Sequence, residues 1–212
     1  MNTSLKKQIY DVITGKGQVR HGAIIQTITR YLGDCAQTSR EAESPKQVRK
    51  QETQKLEVWI TNQNLWIDAI DLSKFVSEGA EQKVYLKDTS HVIKLNDGIY
   101  YQSWRDYFHS LLLHNFFFED TAYRLTGFIK ESDVLYAVVE QPYVSITSLT
   151  DLEQLKHFMG INGFENTRNN DYINPELGII LEDLHDENVL TRNDLFYFID
   201  TVFYLTPDFY TS

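Results

Sequence analysis

Apolar residues recur at helical spacing through the first 34 positions. Leu5, Ile9, Val12 and Ile13 share one face, Ile24, Ile25, Ile28, Tyr31 and Leu32 share another, and the breaker Gly15-Lys16-Gly17 lies between them. Two short amphipathic helices are predicted, each needing something to bury against. The pattern then lapses. Residues 37–55, QTSREAESPKQVRKQETQK, carry almost no apolar side chains and read as a solvated linker or a mobile helix. The chain is therefore divided into a helical amino-terminal segment with polar linker, residues 1–55, and a second domain, residues 56–212. From Leu56 the period changes to two. Leu56, Val58 and Ile60, then Leu65 and Ile67, alternate around Asn62-Gln63-Asn64, which predicts a hairpin whose turn tolerates positive φ at an Asn.

Further on, Val84-Tyr85-Leu86 and His91-Val92-Ile93-Lys94-Leu95 read as strands separated by Asp88-Thr89-Ser90. A helix is predicted over 103–116, with Trp104, Tyr107, Phe108, Leu111 and Leu112 at helical spacing. Residues 123–130 and 134–141 form a second predicted hairpin with its turn at Glu131-Ser132-Asp133, and Pro142 ends its second strand. Another helix opens near Ser148-Leu149-Thr150-Asp151 and stops at Gly160, with Thr150 and Glu153, or Ser148 and Asp151, supplying capping-box chemistry. Residues 162–175 are rich in Asn and Gly and read as loop. Phe196 to Ile199, FYFI, reads as a buried strand ending at Asp200. An α+β chain with antiparallel sheets follows.

Composition narrows the function classes. Thirty Asp and Glu outweigh 20 Lys and Arg, for a net charge of −10, so no broad basic surface is expected for nucleic acid or anionic membranes. Small anionic ligands remain open, because a few local cations and backbone amides suffice to hold them. Cys35 is the single cysteine, which excludes an intrachain disulfide. The polar amino terminus and the lack of any run of about 18 apolar residues predict a soluble, cytoplasmic protein.

Three polar residues interrupt the apolar carboxy-terminal third: Asp183, Asn188 and Asp200. An Asp followed five residues later by an Asn places both side chains in one short loop, and a strand then delivers a further carboxylate, a set suited to phosphoryl transfer with a divalent metal. Lys94 ends an apolar strand run fifteen residues after Gly79, where an interior ammonium needs a partner.

In this pattern the sequence resembles a protein kinase. Asp183-Leu184 with Asn188 is similar to the catalytic loop, Asp200 to the Asp of the DFG motif, His91-Val92-Ile93-Lys94 to VAIK, and residues 77–84 to a phosphate loop retaining only its middle glycine, Gly79. Leu181-Glu182 stand where His-Arg usually precede the catalytic Asp, and Thr201-Val202 replace Phe-Gly. The sequence most resembles the small Ser/Thr/Tyr kinase-like domain of polyvalent proteins from phages and conjugative elements. Its DLHDENVL-like loop, LHN segment and EQP-like segment match residues 183–190, 113–115 and 140–142. Small kinases without an activation segment and aminoglycoside-phosphotransferase-like enzymes share the general pattern. The resemblance covers residues 75–205.

The resemblance implies a minimal protein-kinase-like fold, with an antiparallel N-lobe sheet and a reduced C-lobe. It implies ATP and Mg²⁺, with Asp183 orienting the acceptor hydroxyl, Asn188 and Asp200 holding the metal, and Lys94 gripping phosphates. Gly79 would approach the phosphates, and backbone groups from Glu140 through Gln141 to Tyr143 would bind adenine. Lys94 would also pair with a carboxylate of the next helix, which contains no Glu, leaving Asp106 or Glu119. The acceptor is a protein or small-molecule hydroxyl. Two other readings stand beside this one: a pseudokinase acting through partner contacts, and a solvated acidic turn at 183–188. Close approach of Lys94 to Asp200 discriminates against the turn. His21, Cys35, His109, His114, Trp59 and Trp66 are assigned to packing, capping or surface.

Overall fold

The computed structural model describes residues 2–36, 44–79 and 82–210. The Cys35 side chain, residues 37–43 of the predicted linker, and Ala80 and Glu81 of the predicted phosphate loop lie outside the described residues. Three helices come first, α1 (Asn2–Ile13), α2 (Ala23–Ala36) and α3 (Pro45–Gln63). The first two match the predicted amphipathic patterns, with Ile9, Ile13, Ile25, Ile28 and Leu32 buried. Helix α3 takes up the helical alternative for the polar stretch and corrects the strand expected after it. The polar stretch is helical from Pro45, with the Gln47 side chain accepting from the Ser44 backbone N–H at 3.0 Å. The predicted strand at 56–60 belongs to this helix, so the boundary drawn after residue 55 falls inside it. Leu56 and Ile60 fit a helical i, i+4 face as well as an alternating one, and burial separates the two: both are buried while Val58 is 59% exposed. Asn64 does adopt positive φ, 54°, but as the left-handed cap of α3.

The chain then runs extended beside the main sheet, where Ile67 donates to the Phe128 carbonyl at 2.8 Å and Phe128 to that of Leu65 at 2.9 Å. Gly127 makes this approach possible, since a Cβ there would come 2.5 Å from the Leu65 oxygen. The sheet has five antiparallel strands, β1 (Phe75–Glu78), β2 (Gln82–Leu86), β3 (His91–Asn96), β4 (Arg124–Glu131) and β5 (Val134–Pro142), in the order β1-β2-β3-β5-β4. The β4–β5 turn holds Ser132 and Asp133 at φ 49° and 66°, both left-handed, as a tight hairpin demands.

Between β3 and β4 the chain crosses through α4 (Trp104–Phe117). Ser103 caps it by accepting from Asp106 N–H, and Glu52 of α3 accepts from Trp104 N–H at 2.7 Å. Every residue from Tyr107 to Asn115 is buried, because the sheet covers one side of α4 and α1 to α3 cover others. One apolar cluster runs from Ile9 and Ile28 through Trp104 and Phe108 to Phe198 and Phe203. The amino-terminal helices thus share their core with the rest of the described residues.

Helix α5 (Leu152–Ile161) is capped by Asp151, which accepts from Glu153 and Gln154 N–H, and not by the predicted Thr or Ser. The Thr150 hydroxyl donates instead to the Val189 carbonyl at 2.6 Å. The predicted loop at 162–175 contains two strands, β6 (Glu165–Arg168) and β7 (Asp171–Asn174), whose polar residues gave no alternating signal. With β8 (Ile179–Glu182) and β11 (Val202–Leu205) they form a sheet ordered β11-β8-β7-β6, while β9 (Val189–Arg192) and β10 (Leu195–Phe198) form a hairpin. The chain therefore leaves β8, crosses the 183–188 loop, turns through β9 and β10, and returns beside β8 as β11. That path brings Asp183 and Asp200 to the same end of the sheet.

Candidate active site

Lys94 sits in the middle of β3, opposite Val84 and Val139, and is 4% exposed. Its ammonium donates to Asp200 Oδ2 and to the Ile199 carbonyl, each at 3.0 Å. The close approach that would discriminate against a bare acidic turn is present. Gln82 also donates to Asp200 Oδ2, and the Tyr123 hydroxyl donates to the Ile199 carbonyl at 2.6 Å. Asp200, in the turn between β10 and β11, is thus held from β2 and β3, and Ile199 beside it is held by Tyr123 just before β4.

Asp183 follows β8 at φ 67°, a strained conformation that Asp tolerates better than most residues. Hydrogen bonds over-determine it. Its N–H donates to Asp171 Oδ1 at 3.1 Å, while the Asn188 amide donates to its carbonyl and to its Oδ2, both at 2.9 Å. His185 Nε2 lies 3.3 Å from Asp183 Oδ1. The Ile199 N–H donates to the Asn188 carbonyl at 2.9 Å, tying this loop to the residue before Asp200. Burial pushes the Glu182 carboxyl above its usual range, and the Asp171 and Asp183 charges add to the shift.

Lys94, Asp183, Asn188 and Asp200 line one cleft of about 860 Å³. Gly79, Gln141 and Tyr143 line it as well. Gly79 has negative φ and open space around it, and its N–H is engaged by the Gln82 carbonyl at 2.8 Å, so nothing in its backbone demands glycine. Tyr143 N–H donates to the Ser90 carbonyl at 2.8 Å, and the Gln141 amide donates to that of Thr121 at 2.9 Å. Glu140 is outside the cleft lining. Its carboxylate meets Lys87 at 2.8 Å and also Arg124; burial alone would raise it, and these two cations outweigh burial and hold it below its usual range.

Neither expected helix carboxylate reaches Lys94. Asp106 accepts from the Ser103 hydroxyl at 2.7 Å at the start of α4, and Glu119 pairs with Arg20 at 2.5 Å. The face of α4 toward the cleft carries Tyr107 and Leu111 instead. Tyr123, Gln82 and Asp171 have no sequence signal that singles them out. His114 did, through the LHN segment, and it is buried as assigned. Its Nε2 lies 3.0 Å from the Thr121 carbonyl and its Nδ1 2.8 Å from Thr201 Oγ1. A carbonyl only accepts, so Nε2 carries the proton and the Thr201 hydroxyl donates to Nδ1.

A family model described as serine/threonine/tyrosine kinase found in polyvalent proteins matches residues 49–207. The chain belongs to this kinase family. No curated protein and no solved structure matches the chain. The kinase match begins inside α3, so it takes in that helix as well as both sheets. A kinase family points to phosphotransfer and suggests ATP, typically with Mg²⁺. Among the described residues no group of three His, Cys, Asp or Glu could hold a metal unaided. The donor set nevertheless fits a hard cation that takes its other ligands from phosphate and water. Asn188 commits its amide nitrogen to the Asp183 carbonyl and Oδ2, and it lines the same cleft as Asp200. Among the described residues no helix is long and apolar enough to cross a membrane.

Two buried histidines contribute to the acid response of the fold. Burial holds both His109 and His114 down at about 3, with nearby cations adding to the effect. In the unfolded chain each titrates near the ordinary 6.5, so between pH 6.5 and 3 the unfolded state binds the extra protons and stability falls as pH falls. Each histidine contributes a slope of about 1.4 kcal/mol per pH unit within that window. His109 Nε2 has no hydrogen-bond partner. His109→Leu is therefore expected to keep stability at pH 7 and to halve the histidine part of the acid-side slope, read from urea unfolding between pH 7 and 4.5.

Proposed function

We propose that this kinase is an ATP- and Mg²⁺-dependent phosphotransferase that moves the γ-phosphoryl group to a hydroxyl of a protein or small molecule, on a protein-kinase-like fold. The observation that carries the reading is the meeting of Lys94 and Asp200 at 3.0 Å in the cleft that Asp183 and Asn188 also line. The strand order β1-β2-β3-β5-β4, with a buried helix between β3 and β4, supports a kinase N-lobe. The small β11-β8-β7-β6 sheet and the β9–β10 hairpin would then be the reduced C-lobe.

In this reading Lys94 holds the α- and β-phosphates, and Asn188 Oδ1 with the Asp200 carboxylate would hold the metal. Bound Mg²⁺ supplies charge neutralisation on the phosphates. Asp183 accepts the proton of the acceptor hydroxyl as its oxygen attacks the γ-phosphorus and the bond to ADP breaks. Asn188 keeps the Asp183 carboxylate pointed while this happens. The cleft volume suits a nucleotide, since ligand pockets span about 300–1,000 Å³. Positioning and charge neutralisation supply most of the catalysis in such a transfer, so this small set of side chains is close to sufficient.

A pseudokinase reading is favoured by a different observation: Asp200 Oδ2 is already engaged by Lys94 and Gln82, and no α4 carboxylate competes for the lysine. Calorimetric titration of ATP with and without Mg²⁺ separates the two. Wild type is expected to bind with a metal-dependent gain that Asp200→Asn loses. Asn keeps an oxygen for Lys94, so the variant should stay folded. Absence of binding under every condition would sink the phosphotransferase and leave an interaction module.

A further inference from the structure

Lys94 is a buried cation whose expected helix carboxylate is absent. A long lysine side chain with a single ion-pair partner has many rotamers to lose, so its direction must be fixed by something else. Tyr123 stands in that place. The Lys94 ammonium lies 5.6 Å from the Tyr123 ring centroid, within cation–π range. The Tyr123 hydroxyl donates at 2.6 Å to the Ile199 carbonyl that Lys94 also uses, and it lies 3.4 Å from Asp200 Oδ1. One side chain therefore contacts both the lysine and the segment that delivers Asp200.

Tyr123 is in turn held from α4. The Asn115 amide donates to the Tyr123 carbonyl at 2.8 Å, and its oxygen accepts from the Tyr123 N–H at 2.6 Å. The neighbouring His114 ring packs 4.5 Å from the Tyr123 ring and bonds the Thr201 hydroxyl. Each of these groups is buried. The connection from α4 to Lys94 and Asp200 is thus made of neutral hydrogen bonds and a ring face.

We propose that Tyr123 is a positioning residue that replaces the missing helix carboxylate, aiming Lys94 with its ring and fixing the Ile199-Asp200 turn with its hydroxyl, while Asn115 relays the position of α4 to it. The assignment rests on the phosphotransferase reading for its consequence, the phosphate grip, but its geometry stands in the unliganded protein. Because the relay contains no ion pair, it is insensitive to salt, unlike an exposed lysine–carboxylate link.

The test compares wild type, Tyr123→Phe and Tyr123→Leu in two measurements. One is competitive acetylation of the nucleotide-free protein, with Lys94 labelling quantified by mass spectrometry against the other lysines. The other is calorimetric affinity for ATP with Mg²⁺. Loss of the ring in Tyr123→Leu is expected to raise relative Lys94 labelling about fivefold and weaken ATP by about five- to tenfold. Tyr123→Phe keeps the ring and should restore wild-type labelling, with only the smaller loss of affinity due to the hydroxyl. Unchanged Lys94 labelling in a folded Tyr123→Leu protein overturns the proposal. Should that variant fail to fold, Tyr123→Met fills similar volume without a π face and is read the same way. A wild type that binds no ATP would sink the phosphotransferase reading alone, since the labelling measurement decides Tyr123 without nucleotide.

Discussion

Asp183→Asn is expected to slow phosphoryl transfer by about 10²–10⁴-fold, the usual contribution of a general base. ATP·Mg²⁺ affinity should stay within about twofold, because the substituted group touches the acceptor hydroxyl and not the nucleotide. Asn is the informative replacement for two structural reasons. It tolerates the left-handed φ of 67° at this position, and its oxygen can still accept from the Asn188 amide as Asp183 Oδ2 does at 2.9 Å. The loop therefore keeps its shape and loses only the proton acceptor. Turnover at saturating ATP, set beside calorimetry on the same preparation, reads both halves. Undiminished turnover would remove Asp183 from the role of base.

Lys94→Met should weaken ATP by about 10–100-fold, the worth of charge-assisted hydrogen bonds to phosphate oxygens. The cost to stability is expected to be small, and the asymmetry of the ion pair gives the reason. The Lys94 side chain is 5% exposed and Asp200 26%. With the lysine gone, Asp200 keeps Gln82 as a donor and some access to water, while Met fills the space of the lysine stem. With the carboxylate gone, as in Asp200→Ala, a buried ammonium is left with the Ile199 carbonyl. Urea midpoints should accordingly fall further for Asp200→Ala than for Lys94→Met. The reverse order would mean that the pair is not stabilised as its burial indicates.

Much of the candidate site was legible because it depends on short spacings. Asp183 and Asn188, five apart, fall in one loop whatever surrounds them. Asp200 follows an apolar strand run of four residues, and Lys94 ends another, so each is delivered at a strand by local pattern alone. The strands from β2 to β5 and helix α4 were legible for the same reason. The stretch from 44 to 63 was not. Leu56 and Ile60 satisfy both a period of two and a period of 3.6, and only the packing of α3 against α2 and α4 chooses between them. The β6–β7 hairpin was missed because its strands are short and polar, leaving pairing to show itself only through backbone hydrogen bonds.

Spacing and composition already carry the α+β alternation, the kinase-like order of Gly79, Lys94, Asp183, Asn188 and Asp200, and a net charge that disfavours a broad anionic partner. What surrounds Lys94 depends on long-range packing. Asp106 and Glu119 lie near the right place in the chain, yet one is bonded to Ser103 at the start of α4 and the other paired with Arg20. Tyr123 and Asp200, 77 residues apart, fill the gap. A lone tyrosine before a strand carries no periodic signal. Its role arises only when α4, β3 and the end of β10 are packed together and a buried charge takes whatever partner that packing leaves within reach.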